Sequence, residues 1–236
     1  MLSVKREKII GFLPFYLLVV IVFIGIASIG SSAVAVVAEN VPVQRQHCIV
    51  IDAGHGGIDG GATSCTGVLE SSINLEIALR LNDLLRLLGH DTLMIRTTDT
   101  SVHTSDGSIA QIKVSDLKER VRIVNDTQNA ILVSIHQNTF SESRYNGAQV
   151  FYGNDDGKSL AQQMQASFVS ALNPDSRRKS KPADGVYLME HVSCTAVLVE
   201  CGFLSNPKEE AKLRSGDYQN KIACVIASNL NTFIDS

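Results

Sequence analysis

The chain has 236 residues, 44% of them hydrophobic and 19% charged, with a formal net charge of −3. That length holds on the order of one to two domains, and the apolar share is ample for a conventional core, so a disordered or fibrous chain is excluded. Of 21 basic and 24 acidic residues, three basic and one acidic fall in the first 38, leaving a net charge of about −5, which argues against nucleic acid as a partner.

From Ile9 to Ala38 no side chain is charged. This run of about 30 residues exceeds the roughly 20 needed to span a bilayer. Lys5, Arg6 and Lys8 precede it. The positive-inside tendency therefore predicts that the rest of the chain is exported, to act outside the cytoplasm. A signal peptide's apolar region is usually about 7–15 residues, so the length favours a retained membrane anchor over residues 1–38. The small residues Ala33-Val34-Ala35 and Val36-Val37-Ala38 keep cleavage open as the alternative. A linker, "ENVPVQRQ" (39–46), separates this segment from a domain at 47–236.

Within that domain, apolar runs rich in β-branched residues predict strands at "CIVID" (48–52), "TLMIR" (92–96), "AILVSI" (130–135), "AQVFY" (148–152) and "AVLVE" (196–200). The helical patterns lie between and after them. In "SSINLEIALRLNDLLRLLG", Ile73, Ile77, Leu81, Leu84, Leu85 and Leu88 fall on one helical face, with Ser71 or Ser72 as N-cap and Gly89 as stop. Three further segments repeat that spacing: "VSDLKERVRIVNDTQ", "GKSLAQQMQASFVSAL" and "YQNKIACVIASNLNTFI". The stretch Thr100–Asp116 is polar and without periodicity, which predicts a long loop, dispensable for folding and of use toward substrate or partner. Strands alternating with helices predict a single α/β domain with a mainly parallel sheet covered on both faces.

Ligands in such folds collect at the carboxyl ends of strands. His55 follows the first strand, His136 follows "AILVSI", Glu200 ends "AVLVE", and Glu70 opens the first helix close to the same edge. The glycine-rich turn "DAGHGGIDGGATS" does not fit a phosphate loop. No lysine lies between Val50 and Ser72, and a G-x-G-x-x-G pattern begun at Gly54 meets Asp59 at its last position. A metal fits better. Two imidazoles and a carboxylate, with a fourth position for water, make the usual hydrolytic zinc site. Such a site also needs a base that is not a ligand, and Glu200 is the candidate.

The segments "DAGHGGIDGGATSCTGVLESSINLEIALRL", "SIHQN" and "VLVECGFLSNPKE" resemble, in order, the signatures of the zinc-dependent N-acetylmuramoyl-L-alanine amidases, over about residues 48–236. The resemblance implies a twisted, mostly parallel sheet of about six strands with flanking helices. It further implies Zn²⁺ as cofactor, held by His55, Glu70 and His136, Glu200 as the catalytic glutamate, and peptidoglycan as substrate. Within the family, "KVSDLKERV", "ADGVYLMEHV" and the N-terminal segment are most similar to the spore-cortex amidases of endospore formers. That likeness implies work at the spore envelope in cortex maturation and germination, with an activating protein partner left open. The chain departs from many relatives in having Ala53 where they have proline. Two alternatives stand beside this: a zinc peptidase acting on the stem peptides of the wall, and a wall-binding module without catalysis.

The remaining side chains are expected to be plain. Cys48, Cys65, Cys194, Cys201 and Cys224 show no C-x-x-C pair, so neither a zinc ribbon nor a disulfide framework is indicated; Cys48 and Cys224 read as core. Cys65 and Cys201 flank the candidate site and offer a thiol ligand or nucleophile as a minor alternative. His90, His103 and His191 read as loop residues, with His47 at the linker end. "RRKSK" (177–181) reads as a solvated loop, with contact to an anionic polymer as the lesser alternative.

Overall fold

The computed structural model describes residues 47–236, so the hydrophobic segment 1–38 and the linker 39–46 lie outside the described residues. Six strands form one sheet: β1 (Cys48–Ala53), β2 (Asp91–Met94), β3 (Ala130–Asn138), β4 (Gln149–Tyr152), β5 (Lys181–Pro182) and β6 (Thr195–Phe203), in spatial order β2-β1-β3-β6-β4-β5. The helices are α1 (Glu70–Leu87), α2 (Ile109–Asp126), α3 (Asp155–Leu172), α4 (Tyr187–His191), α5 (Pro207–Leu213) and α6 (Gly216–Ile234). Among these described residues no helix is long and apolar enough to cross a membrane.

Side chains alternate across each strand, and the alternation divides the core in two. Ile49 and Ile51 of β1, Ile131, Val133 and Ile135 of β3, and Val197 and Val199 of β6 face α1, α3 and α6. Val50, Leu132, Ala196 and Leu198 face the other way, onto Val124 of α2 and Leu188 and Met189 of α4. Ile73, Ile77, Leu81 and Leu85 of α1 are fully or almost fully buried, as the helical spacing predicts. Each such side chain stabilises the fold by roughly 1.5–3 kcal/mol. The second face is covered by fewer helices, one of them five residues long. That thin cover leaves room for a cleft.

β1, β2, β3 and β6 are parallel, but β4 runs antiparallel to β6. No helix lies between Asn138 and Gln149. The chain therefore leaves β3 at the carboxyl edge and must run back from that edge, since a parallel partner requires a crossover of a dozen or more residues.

Several expectations are corrected. α1 begins at Glu70 after Leu69, with no side-chain cap, so neither Ser71 nor Ser72 is the N-cap. Leu88 is exposed. His136 lies inside β3 rather than after it, and Glu200 inside β6 rather than at its end, the two directly paired in register. The stretch Thr100–Asp116 is not a loop throughout. α2 starts within it at Ile109, under a capping box made by Ser108 and Gln111. Asp116 is buried and accepts the Val102 amide at 2.6 Å and Arg120 Nε at 2.7 Å. Cys224 is exposed and Cys48 half-buried, whereas Cys201 is the buried thiol. Cys224 lies one position off the Ile222–Ala223–Ile226 stripe that α6 turns inward. His90 is also buried, its Nε2 2.9 Å from Asn231 of α6.

Candidate metal centre

β1 and β3 are neighbours whose onward connections diverge, β1 to β2 on one side and β3 toward β6 on the other. Such a switch point opens a crevice at the carboxyl ends of the strands. His55 leaves β1 there with φ 61°, a left-handed backbone that is uncommon outside glycine. Two buried arginines hold that turn. Arg96 donates to the Ala53 and Gly54 carbonyls at 2.8 and 3.0 Å, and Arg120 donates to the His55 carbonyl at 2.7 Å.

The four predicted residues converge. His55, Glu70 and His136 each offer one ligand atom, all within 4.8 Å of one another. His55 turns Nε2 to Glu70 Oε2 at 3.4 Å, while its Nδ1 meets Asp59 Oδ2 at 2.8 Å. His136 turns Nδ1 to Glu70 Oε1 at 3.0 Å. Glu70 opens α1, yet its carboxylate caps none of that helix's backbone amides. It accepts the backbone amides of Ala62 and Gln137, at 2.9 and 3.1 Å, and Asn74 Nδ2 at 3.2 Å. Burial opposes its ionisation, but the two histidines outweigh burial and hold the carboxyl well below the usual range. No cysteine belongs to this group, and burial pushes the Cys201 thiol up, which argues against a thiol ligand and against Cys201 as nucleophile.

Glu200 lies beside the trio without joining it. By strand parity it faces the same side as His136, and both line a cleft of 410 Å³ with Leu117, Tyr187 and Leu188. Its Oε2 is buried with no hydrogen-bond partner. Burial, with the nearby Glu70 charge, pushes its carboxyl up to about 7, against the opposing pull of His136 and His55. A buried acid with a pKa near neutrality and no structural partner suits proton transfer.

The supporting residues were not singled out by the sequence. Asp59 holds His55 and is itself held by Lys113 at 2.7 Å. Asp52, buried under the site, accepts Ser134 Oγ at 2.6 Å and pairs with Arg120. The readable signal was a charge in an otherwise apolar run, "CIVID". Glycine is required where backbone crosses the candidate ligands: a Cβ on Gly54 would land in the His136 imidazole, and one on Gly61 (φ 68°) would sit 2.7 Å from Glu70 Oε2. Gly54→Ala should therefore displace His136 and weaken metal retention by about 10–100-fold, the usual scale for losing ligand support. Competition against a graded chelator measures it, and unchanged retention would show that the ring moves aside freely.

The sequence profile described as N-acetylmuramoyl-L-alanine amidase matches residues 49–232. The germination-specific N-acetylmuramoyl-L-alanine amidase of Bacillus subtilis is 36% identical over 182 residues, which span 75% of this chain and 76% of that one. Among solved structures, the CwlD amidase from Clostridioides difficile, in complex with the GerS lipoprotein, superposes with a TM-score of 0.77 at 36% identity, covering 80% of this chain and 98% of that chain. An N-acetylmuramoyl-L-alanine amidase from Clostridium difficile 630 gives a TM-score of 0.71 at 31% identity over 82% of this chain and 99% of its own.

Proposed function

The chain belongs to the N-acetylmuramoyl-L-alanine amidase family, and from that premise we propose that it is a zinc-dependent hydrolase cutting the amide between N-acetylmuramic acid and L-alanine in peptidoglycan. The observation that carries the zinc reading is the His55–Glu70–His136 group with the unpartnered Glu200 oxygen beside it. The donor set fits the metal: two imidazoles and one carboxylate, with a glycine at each close approach.

His55 would offer Nε2 and His136 Nδ1, the ring nitrogens that face Glu70. Asp59 fixes the His55 ring by accepting from the other nitrogen, the support that ligating histidines usually have. Zinc, when bound, polarises the amide carbonyl and lowers the pKa of a water to about 7. Glu200 takes the proton of the attacking water and hands it to the leaving nitrogen, so the amine product departs on the Glu200 side.

Incubating the full chain with purified peptidoglycan and weighing the products tests the activity. An amidase releases peptides with a free L-alanine N-terminus and leaves bare muramic acid. Retention of L-alanine on the sugar would make the enzyme a stem-peptide peptidase, and no release at all would leave the binding module.

Zinc uptake should release a proton near neutral pH. Burial lowers the His55 pKa, but hydrogen bonds and charge from Glu70 and Asp59 outweigh it and raise the imidazole to about 9 in the metal-free protein. The ring is thus protonated at pH 7 and must become neutral to ligate, so affinity should fall as the pH is lowered from 9. Titration calorimetry in buffers of different ionisation heat reads the released proton; a heat independent of buffer would contradict this.

The role we assign is in the spore envelope, in cortex maturation or germination, supported by the germination-specific relative. The CwlD structure with its lipoprotein supports an activating protein partner of that kind. Export and retention through residues 1–38, with the catalytic domain at 47–236 beyond the linker, complete the reading. Intact mass of the native protein tests retention, and a mature chain starting near Glu39 would refute it.

A further inference from the structure

The reversal of β4 places a second cleft next to the first. Gln149, the first residue of β4, is the register partner of Glu200 across the sheet. It also lines a separate cleft of 630 Å³, between the β3–β4 connection and the segment leading into β5, whose cations are Arg144, Arg177, Arg178, Lys179 and Lys181. No acidic residue lines it. This concentration of positive charge stands out in a chain whose net charge is −3.

Arg178 builds the wall of the cleft: it donates to the Asn146 carbonyl at 3.0 Å and to Gln149 Oε1 at 3.3 Å, and lies 4.8 Å over the Phe203 ring. Buried Glu209 ties the same wall down by accepting the Gly147 and Phe203 amides, each at 2.9 Å. Arg144 pairs with Glu142. Arg177, Lys179 and Lys181 are exposed, and among the described residues none of the three is in an ion pair.

We propose that this cleft binds a free carboxylate of the peptide on the leaving side of the scissile amide. The proposal rests on the reading that Glu200 protonates the leaving nitrogen, which puts the peptide, not the sugar, on the β4 side of the metal. Adjacent strands lie about 4.8 Å apart, so the cleft at β4 and β5 begins some 5–10 Å beyond Glu200. An extended peptide advances about 3.3–3.6 Å per residue. The carboxylate held there thus belongs about two to three residues past the L-alanine. A phosphate polymer of the wall would meet the same cations, but nothing in it requires the cleft to sit beside Glu200. A charged groove next to the catalytic glutamate is what an acidic leaving peptide needs.

The test is calorimetric binding of a synthetic tetrapeptide that begins with L-alanine, in its free-acid and fully amidated forms, to the zinc-loaded full chain in detergent. The native chain should bind the acid on the order of tenfold more tightly, because exposed charge contacts contribute only a few-fold each. R177Q/K179Q/K181Q, and K179Q/K181Q as a milder variant, should bind the two forms nearly alike. Equal binding of both forms by the native chain, or undiminished preference for the acid in both variants, overturns the proposal. So does inorganic polyphosphate that binds more tightly than the acid peptide and is lost in the variants, which would give the cleft to a phosphate polymer. Cleavage of peptidoglycan is followed separately. If the native chain cuts nothing while its acid preference persists, the amidase reading fails and the cleft stands.

Discussion

Replacing Glu200 by glutamine should leave zinc near one equivalent per chain while amide cleavage falls by a factor on the order of 100 or more, the scale of a lost general acid–base. Glu200 Oε2 has no hydrogen-bond partner, so the change removes a proton carrier without dismantling a network. His136→Ala should behave differently. It deletes one of the three proposed ligand atoms and leaves Glu70 Oε1 with only the Gln137 amide and Asn74 Nδ2, so metal and activity should disappear together. Metal analysis beside product release, on both purified variants, separates the roles: zinc lost with Glu200→Gln would make Glu200 a ligand, and full activity would remove it from the reaction. Stability gives an independent check on the metal-free protein. Burial raises the Glu200 carboxyl from 4.5 to about 7. The folded state therefore binds the proton better than the unfolded state, and its ionisation costs stability as the pH rises between those values. Glutamine should thus stabilise the metal-free domain above pH 7 relative to the native residue, with the advantage gone below pH 4.5.

The four candidate residues that the fold brings together were legible because each sits at a structural punctuation mark: His55 in a glycine turn, Glu70 at a helix start, His136 and Glu200 at or near the ends of apolar runs. Strand positions followed from β-branched runs, since a sheet buried on both faces needs them. The reversal of β4 was written in the absence of a helical pattern between "AILVSI" and "AQVFY", and went unread. The polarity of Thr100–Asp116 misled, because polarity there reflects a capped helix start and a buried ion pair rather than solvent. Its Ser108-x-x-Gln111 spacing was the available signal. Arg96 and Arg120 act by holding the Ala53, Gly54 and His55 carbonyls from far along the chain, and no local pattern encodes such partners; Asp59 stands only four residues from His55, within reach of a local reading.

Arg120 should prove the costliest polar residue to remove. Its guanidinium pairs with buried Asp52, meets Asp116 at 2.7 Å, and donates to the carbonyls of Ala53 at 3.1 Å and His55 at 2.7 Å. Arg120→Ala strands the Asp52 carboxylate, which is itself almost fully buried, and leaves the His55 carbonyl without this donor. Breaking a buried pair from one side typically costs about 3–5 kcal/mol, because the remaining charge is left uncompensated. For a domain of this size that lowers the melting temperature by roughly 6–20 °C. The left-handed backbone at His55 depends on the same contacts, so zinc affinity should drop as well. Arg120→Ala/Asp52→Asn discriminates the two effects: removing the stranded charge should recover part of the stability, while the His55 carbonyl stays unheld and zinc affinity stays low. Thermal melts of the single and double variants, metal-free and zinc-loaded, read both quantities. A melting temperature unchanged in Arg120→Ala would mean that water replaces the guanidinium under the site. Full recovery of zinc affinity in the double variant would mean that Arg120 acts on the metal through charge alone.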